Sequence, residues 1–114
     1  MLICGRDSVS AFAAETAVAH LGSLLGGAST VPVNFHLTAG ETAYILEDSG
    51  TSILFVGPET ASRGLEAARL AGVATVVGWG EGLPDGVERW DEWLAAGADT
   101  NPPGDVRPRP SLLY

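Results

Sequence analysis

Apolar positions along this chain switch between a helical period and short unbroken runs. Residues 2–4 are an apolar strand stub, residues 5–7 a turn, and Asp7 or Ser8 can cap the next helix. From 9 to 25, apolar or small residues and His20 fall at 9, 12, 13, 16, 17, 20, 21, 24 and 25. That is the i, i+3, i+4 stripe of a helix packed on a sheet. Gly22 and Gly26 stand one turn apart, a spacing that permits close backbone approach, and Gly26-Gly27 ends the helix. Residues 29–33 form a β-branched run containing Pro32, which demotes it to an edge strand or a strand end. Asn34 to Leu37 connects it to a helix that opens at Thr38. Thr38 and Glu41 have capping-box spacing, each side chain satisfying an amide of the other residue. This helix runs to about Asp48, with Gly50 as its left-handed stop.

Residues 52–56 are almost wholly apolar, as in a strand buried on both faces. Gly57-Pro58 breaks the run. Residues 60–71 are an amphipathic helix with Ala61, Leu65 and Ala68 inward, and Gly72 stops it. Residues 73–77 are a second apolar strand, 78–86 a glycine-rich loop, and 87–90 a short extended segment. Asp91 is expected to cap a helix reaching about Ala96, ended by Gly97. About four strand-plus-helix alternations predict an α/β fold: an incomplete doubly wound parallel sheet with helices on its faces. The strands flanking the helix at 38–48 should be parallel, with a right-handed crossover. The expected organisation is a partial α/β subdomain over 1–97, a Pro-rich linker over 98–110, and the start of a further strand at 111–114.

The segment VPVNFHLTAGETAYILEDSGTSILFV also resembles the early N-terminal part of AMP-forming acyl-CoA synthetases, members of the adenylate-forming superfamily. The residues that carry the likeness are Pro32, Asn34, Leu37, Thr38, Tyr44, Ile45, Leu46, Asp48, Ser49 and Gly50, followed by the apolar strand. A weaker likeness continues from about Leu2 to Tyr114. It implies an N-terminal fragment of an acid–CoA ligase, ending just before the loop that holds the ATP phosphates. In such an enzyme a carboxylic or fatty acid reacts with ATP to give an acyl-adenylate and pyrophosphate, and the CoA thiol then displaces AMP. The resemblance implies ATP, Mg²⁺ and CoA for the full-length enzyme, with none of them bound by this fragment. The family's phosphate loop, acid pocket, ribose-binding carboxylate and C-terminal lysine match nothing in these residues. No catalytic residue and no metal ligand is therefore assigned, and the fragment is expected to be inactive alone. The position matching His36 is often Arg or Lys in that family and in some members approaches the nucleotide part of CoA. His36 is thus the candidate cofactor-binding residue.

Composition narrows the alternatives. At 114 residues this is one domain or part of one. The net charge of −8 argues against nucleic-acid and anionic-membrane partners, which need clustered Lys and Arg. Cys4 is the single cysteine, so neither an internal disulfide nor a cysteine-based zinc site can form, as suits a reducing cytoplasm. The sequence shows no apolar run of transmembrane length and no signal-peptide layout.

Other chemistry-bearing residues read as structural. Gly78, Gly80 and Gly82 follow a strand, as a dinucleotide fingerprint requires, but Leu83-Pro84-Asp85-Gly86 is a turn where a helix must begin. No lysine occurs in the chain, which excludes a Gly-Lys-Ser/Thr phosphate loop. His20 reads as a packed or partly exposed helix residue, Asn34 as a turn former, and Cys4 as core. Glu41, Glu47 and Asp48 read as capping and solvated carboxylates, and Trp79, Trp90 and Trp93 as packing residues. His36 differs by standing in the loop after a strand, where α/β folds place ligands. Two other classes remain open: a free-standing flavodoxin-like module that binds a partner or small ligand, and an interaction protein that uses exposed sheet edges.

Overall fold

In the computed structural model, residues 2–5 (backbone only), 14–97, 99–100, 104, 107, 109 and 111–114 are described. The order of elements is β1 (Leu2–Gly5), α1 (Ala14–Leu25), β2 (Val31–Asn34), α2 (Ala39–Asp48), β3 (Ile53–Val56), α3 (Ala61–Ala71), β4 (Thr75–Gly78), β5 (Glu88–Arg89) and α4 (Trp90–Ala95). The five strands form one sheet in the order β2-β1-β3-β4-β5. Every pairing is parallel, with Cys4 opposite Val33, Leu2 opposite Leu54, and Phe55 opposite Val77. The α/β doubly wound parallel sheet expected from the alternation is the observed architecture.

Successive side chains of β3 supply both cores. Leu54 and Val56 point toward α2 and α3, where they pack with Val31, Leu46, Leu65 and Val76. Phe55 points the other way and joins Ala19 of α1, Val77, Trp79 and Trp90. The period-2 alternation of a strand thus divides the protein into two helical layers. The three tryptophans act in packing, as expected. Trp90 and Trp93 meet Phe55 edge to face at centroid distances of 5.8 and 5.3 Å.

The central unit matches the sequence reading closely. The Thr38 N–H donates to Glu41 Oε2 at 2.8 Å, and the Glu41 N–H donates to Thr38 Oγ1 at 3.2 Å. This is the complete capping box. At the other end Gly50 has φ of 66°, and the Thr51 N–H reaches back to the Leu46 carbonyl at 3.0 Å. Pro32 lies in β2, the edge strand, where a missing N–H costs no ladder bond. Thr38→Ala leaves amide donors at the start of α2 without their partner and is expected to cost about 1 kcal/mol. Urea denaturation checks this, and a loss below a few tenths would show the box to be idle.

Three expectations need correction. The first concerns the face of α1. Thr16 is buried as the stripe requires, but so is Ala19, which lies outside it, whereas Leu21 and Leu25 are 58% and 74% exposed. Small side chains let the helix lie close against Phe55 and the tryptophans, and the bulky leucines turn outward. Second, a Cβ on Gly22 would meet nothing within 4 Å, so the Gly22/Gly26 pair mediates no close approach. Gly26 and Gly27 do end the helix, with Gly27 at φ of 79°. Third, Asp91 is not the cap of α4. The helix starts two residues earlier at buried Trp90, its N-cap is Arg89, and no side chain caps it. Asp91 still lies in the first turn, where its charge suits the helix dipole.

Strand limits also shift for a local reason. Residues 73–77 were the expected fourth strand, but the Val73 N–H closes the end of α3 on the Ala68 carbonyl at 2.8 Å. The ladder therefore begins later and takes in Gly78. A Cβ there would lie 2.7 Å from Val87 Cγ1, so the glycine admits the chain that enters β5. The glycine cluster is thus explained by packing and turns. The capping role expected for Asp7 or Ser8, and the helical residues before 14, lie outside the described residues. So does the Cys4 side chain, whose core role is left undescribed. Most of the 98–110 linker is outside them as well.

Candidate functional site

The carboxyl ends of parallel strands are where this fold class places ligands. Here β2 delivers Asn34, Phe35, His36 and Leu37 to that end. Asn34 folds the loop: its Oδ1 accepts the His36 N–H at 2.9 Å, the Asx turn anticipated for this residue. His36 is exposed, and its ring lies 4.0 Å from that of Phe35, tilted by 35°. Arg63, in the first turn of α3, donates from Nη1 to the Leu37 carbonyl at 3.1 Å. One guanidinium therefore ties the His36 loop to the neighbouring helix and brings positive charge to it.

Between these groups lies a recess of about 10 Å³ lined by Asn34, Phe35, Leu37, Thr42, Thr60, Arg63 and Gly64. That is room for one water at most and not for a substrate. At the end of β3, two strands away in the sheet, Gly57 lets Glu59 and the Trp79 indole come close. A Cβ at Gly57 would lie 3.4 Å from both Glu59 Oε2 and Trp79 Nε1. Among the described residues no group of three His, Cys, Asp or Glu side chains converges on a metal site.

A second polar contact was not visible in the sequence. The Tyr114 hydroxyl donates to Asp48 Oδ2 at 2.6 Å. Asp48 thus serves a long-range bond, whereas Glu41 is used in capping and Glu47 is exposed. The hydrogen bond to the Asp48 carboxylate, together with its negative charge, pushes the Tyr114 phenol up to about 12. A phenol raised above its unfolded value of 10.0 lends stability that is complete below that pH. That stability disappears as the pH climbs from about 10 to about 12. Tyrosine-selective NMR should therefore find the Tyr114 ring still protonated at pH 10.5. Ionisation at the ordinary phenol value would show the bond to be absent in solution.

His36 stands in the loop after β2, Asn34 and Leu37 of that loop line one open groove together with Tyr114, and His20 is half-buried on α1.

Sequence comparison shows that 88 residues, 76% of this chain, are 39% identical to a fatty acid–[acyl-carrier-protein] ligase, ScoC, of Streptomyces coeruleorubidus. The chain spans 15% of that relative's length. No family model matches. Among solved structures, the luciferase-like enzyme of the nonluminescent Zophobas morio mealworm superimposes over 89% of this chain and 23% of its own, with TM-score 0.68 and 16% identity. The crystal structure of IdnL7 does so over 99% of this chain and 20% of its own, with TM-score 0.53 and 21% identity. At those identities the structural matches speak for the fold, which they share with this sheet. The ligase match and the fold of these neighbours fit a fragment of an adenylate-forming enzyme.

Proposed function

We propose that this chain is the scaffold portion of an AMP-forming ligase that activates a carboxylic acid and passes it to a thiol. The observation that carries the reading is the 39% identity to a fatty acid ligase across 88 residues. The thiol acceptor is either CoA, as the resemblance at residues 32–56 implies, or the carrier-protein thiol named for the relative. His36 beside Arg63 is the element of this chain that would face the acceptor's phosphates. An imidazole N–H and the guanidinium of Arg63, which is bonded to the same loop, are donors suited to an anion, and they sit at the strand ends. The chemistry itself belongs to residues that these 114 do not supply, because no lysine, and so no Gly-Lys-Ser/Thr loop, is among them.

The outward face of α1 supports the same reading. Val18, Leu21 and Leu25 are each more than half exposed. Apolar side chains grouped in this way are normally covered, and further chain of a larger enzyme would cover them. The 114-residue chain alone should therefore melt below about 65 °C, inside or below the mesophilic range, and associate as it unfolds. A sharp monomeric transition above that temperature would contradict the scaffold reading.

Activity tests the proposal directly. Residues 1–114 should give no acid-dependent exchange of pyrophosphate into ATP. Exchange clearly above a mock preparation would refute it. In a chain long enough to be active, thioester formation with CoA and with holo-carrier protein should be compared before and after His36→Ala. Loss of the acceptor step alone, with adenylation kept, is expected.

A second reading draws on the strand order. The sequence β2-β1-β3-β4-β5 is that of flavodoxin-like folds, which bind ligands where β1 and β3 diverge. A self-sufficient module of this kind would bind a small ligand or partner there. Saturable binding of one small ligand to the monomer, with its largest chemical-shift changes next to Gly5 and Gly57, would favour this reading over the scaffold.

A further inference from the structure

Helix α1 differs from the other long helices in having no charged face. Its single charged residue is Glu15 in the first turn, and from Thr16 to Leu25 there is none. Helices α2 and α3, by contrast, turn Glu41, Glu47, Asp48, Arg63, Glu66 and Arg69 to the solvent. A helix without a charged face is normally a buried one. Among the described residues no helix is long and apolar enough to cross a membrane, so the cover has to be protein. The outward side of α1 also has a definite relief. Val18, Leu21 and Leu25 project from it, and with Gly22 they fall at i, i+3, i+4 and i+7, one seam along the helix. Gly22 is exposed, and a Cβ there would meet nothing within 4 Å. Nothing within the fold therefore requires this glycine, although glycine is a poor residue for a helix interior. Beside the seam runs an open groove of about 310 Å³, also lined by Phe55, Trp93 and Leu94 and by no charged residue.

We propose that the seam of Val18, Leu21, Gly22 and Leu25 receives a second helix of the same longer polypeptide, which sets a large apolar side chain over Gly22 and is uncharged where it meets α1. The inference rests on the ligase reading and gives the rest of that enzyme a side to dock on: the α1–α4 layer, with the α2–α3 layer left in water. The match covers 15% of the ligase relative, so most of a protein of that kind remains to supply the helix. Bulky residues around a bare glycine form the ridges and hollow into which the side chains of a facing helix interdigitate. Anchors at i, i+3, i+4 and i+7 are also the pattern by which one helix engages another. The glycine that the fold itself does not use thus acquires a role, as the point of closest approach.

The sign of one substitution tests it. In the 114-residue chain Gly22→Ala enters open space and improves helix propensity, so the melting temperature should rise by about 4 °C or more. In a chain long enough to be active the same methyl group meets the facing helix, and the melting temperature should fall by about 2 °C or more. Leu21→Lys should follow suit, with little change in the short chain and a clear loss in the long one. Leu70→Lys, at a similarly exposed leucine on α3, should be tolerated in both. A rise with Gly22→Ala in both chains would overturn the proposal, as would equal effects of Leu21→Lys and Leu70→Lys in the longer one. A dimer of the longer chain that Leu21→Lys converts to monomer would assign the seam to a second copy and overturn it too. Absence of acid-dependent pyrophosphate exchange in the longer chain would count against the ligase reading instead, and the sign of Gly22→Ala would still decide whether a helix covers the seam.

Discussion

Phe55→Ala is expected to cost about 3–5 kcal/mol, the range for truncating a buried aromatic. Phe55 is 2% exposed and is the ring against which Trp90 and Trp93 stand edge to face. Deleting it removes the centre of the α1–α4 layer. An open groove of about 310 Å³ already borders that layer, between Val18, Gly22, Phe55, Trp90, Trp93 and Leu94. Water can enter the new space from there, and the helices can close on it, so the lower end of the range applies. Urea denaturation followed by tryptophan fluorescence reads both effects, since the same change should wet Trp90. A loss under about 1 kcal/mol would mean that this layer contributes little to the fold.

Gly64→Val should be the second most damaging change, through the opposite mechanism. A Cβ at Gly64 would sit 2.5 Å from Val56 Cγ1 and 3.4 Å from Leu54 Cδ2. Neither neighbour is a flexible tip: both belong to β3 and have no exposure at all. Helix α3 would have to move off the sheet. Overpacking of this kind costs about 1–3 kcal/mol or more. Gly64→Ala suffers the same clash but recovers about 1 kcal/mol of helix propensity, so it should be the milder of the two. Melting temperatures of both variants check the order, and a stabilised Gly64→Val would show that the α3–β3 contact is loose.

These two residues also show what was legible beforehand. Phe55 could be placed in a strand buried on both faces from its apolar run alone. Gly64 could not be singled out, because the approach of α3 to Val56 is a tertiary fact with no local signature. The unit from Pro32 to Val56 was readable because its signals are local: a proline at an edge, a hydroxyl and a carboxylate three residues apart, a glycine past a helix end. The face of α1 was misread for the opposite reason. A stripe of leucines marks which residues seek cover, but the sheet accepted the small Thr16 and Ala19 and left Leu21 outside. The start of α4 moved because burying the Trp90 ring outweighs the capping preference of Asp91.

At the candidate site, position was legible and partners were not. His36 does stand in a loop at the carboxyl end of a strand, and Asn34 does form its turn. Arg63 lies 26 residues from Leu37, and Tyr114 lies 66 from Asp48. Bonds at such separations follow from topology, and no spacing in the sequence encodes them. The family likeness was legible in ordered residues over 32–50, and the fold of the neighbours agrees with it.

If this sheet is the scaffold of a larger acid-activating ligase, the reading frame beyond the codon for Tyr114 holds the most direct test. The frame should continue into a Ser/Thr/Gly-rich segment that contains the lysine this chain lacks. A stop codon directly after Tyr114, with no remnant of such a segment downstream, would contradict the scaffold reading.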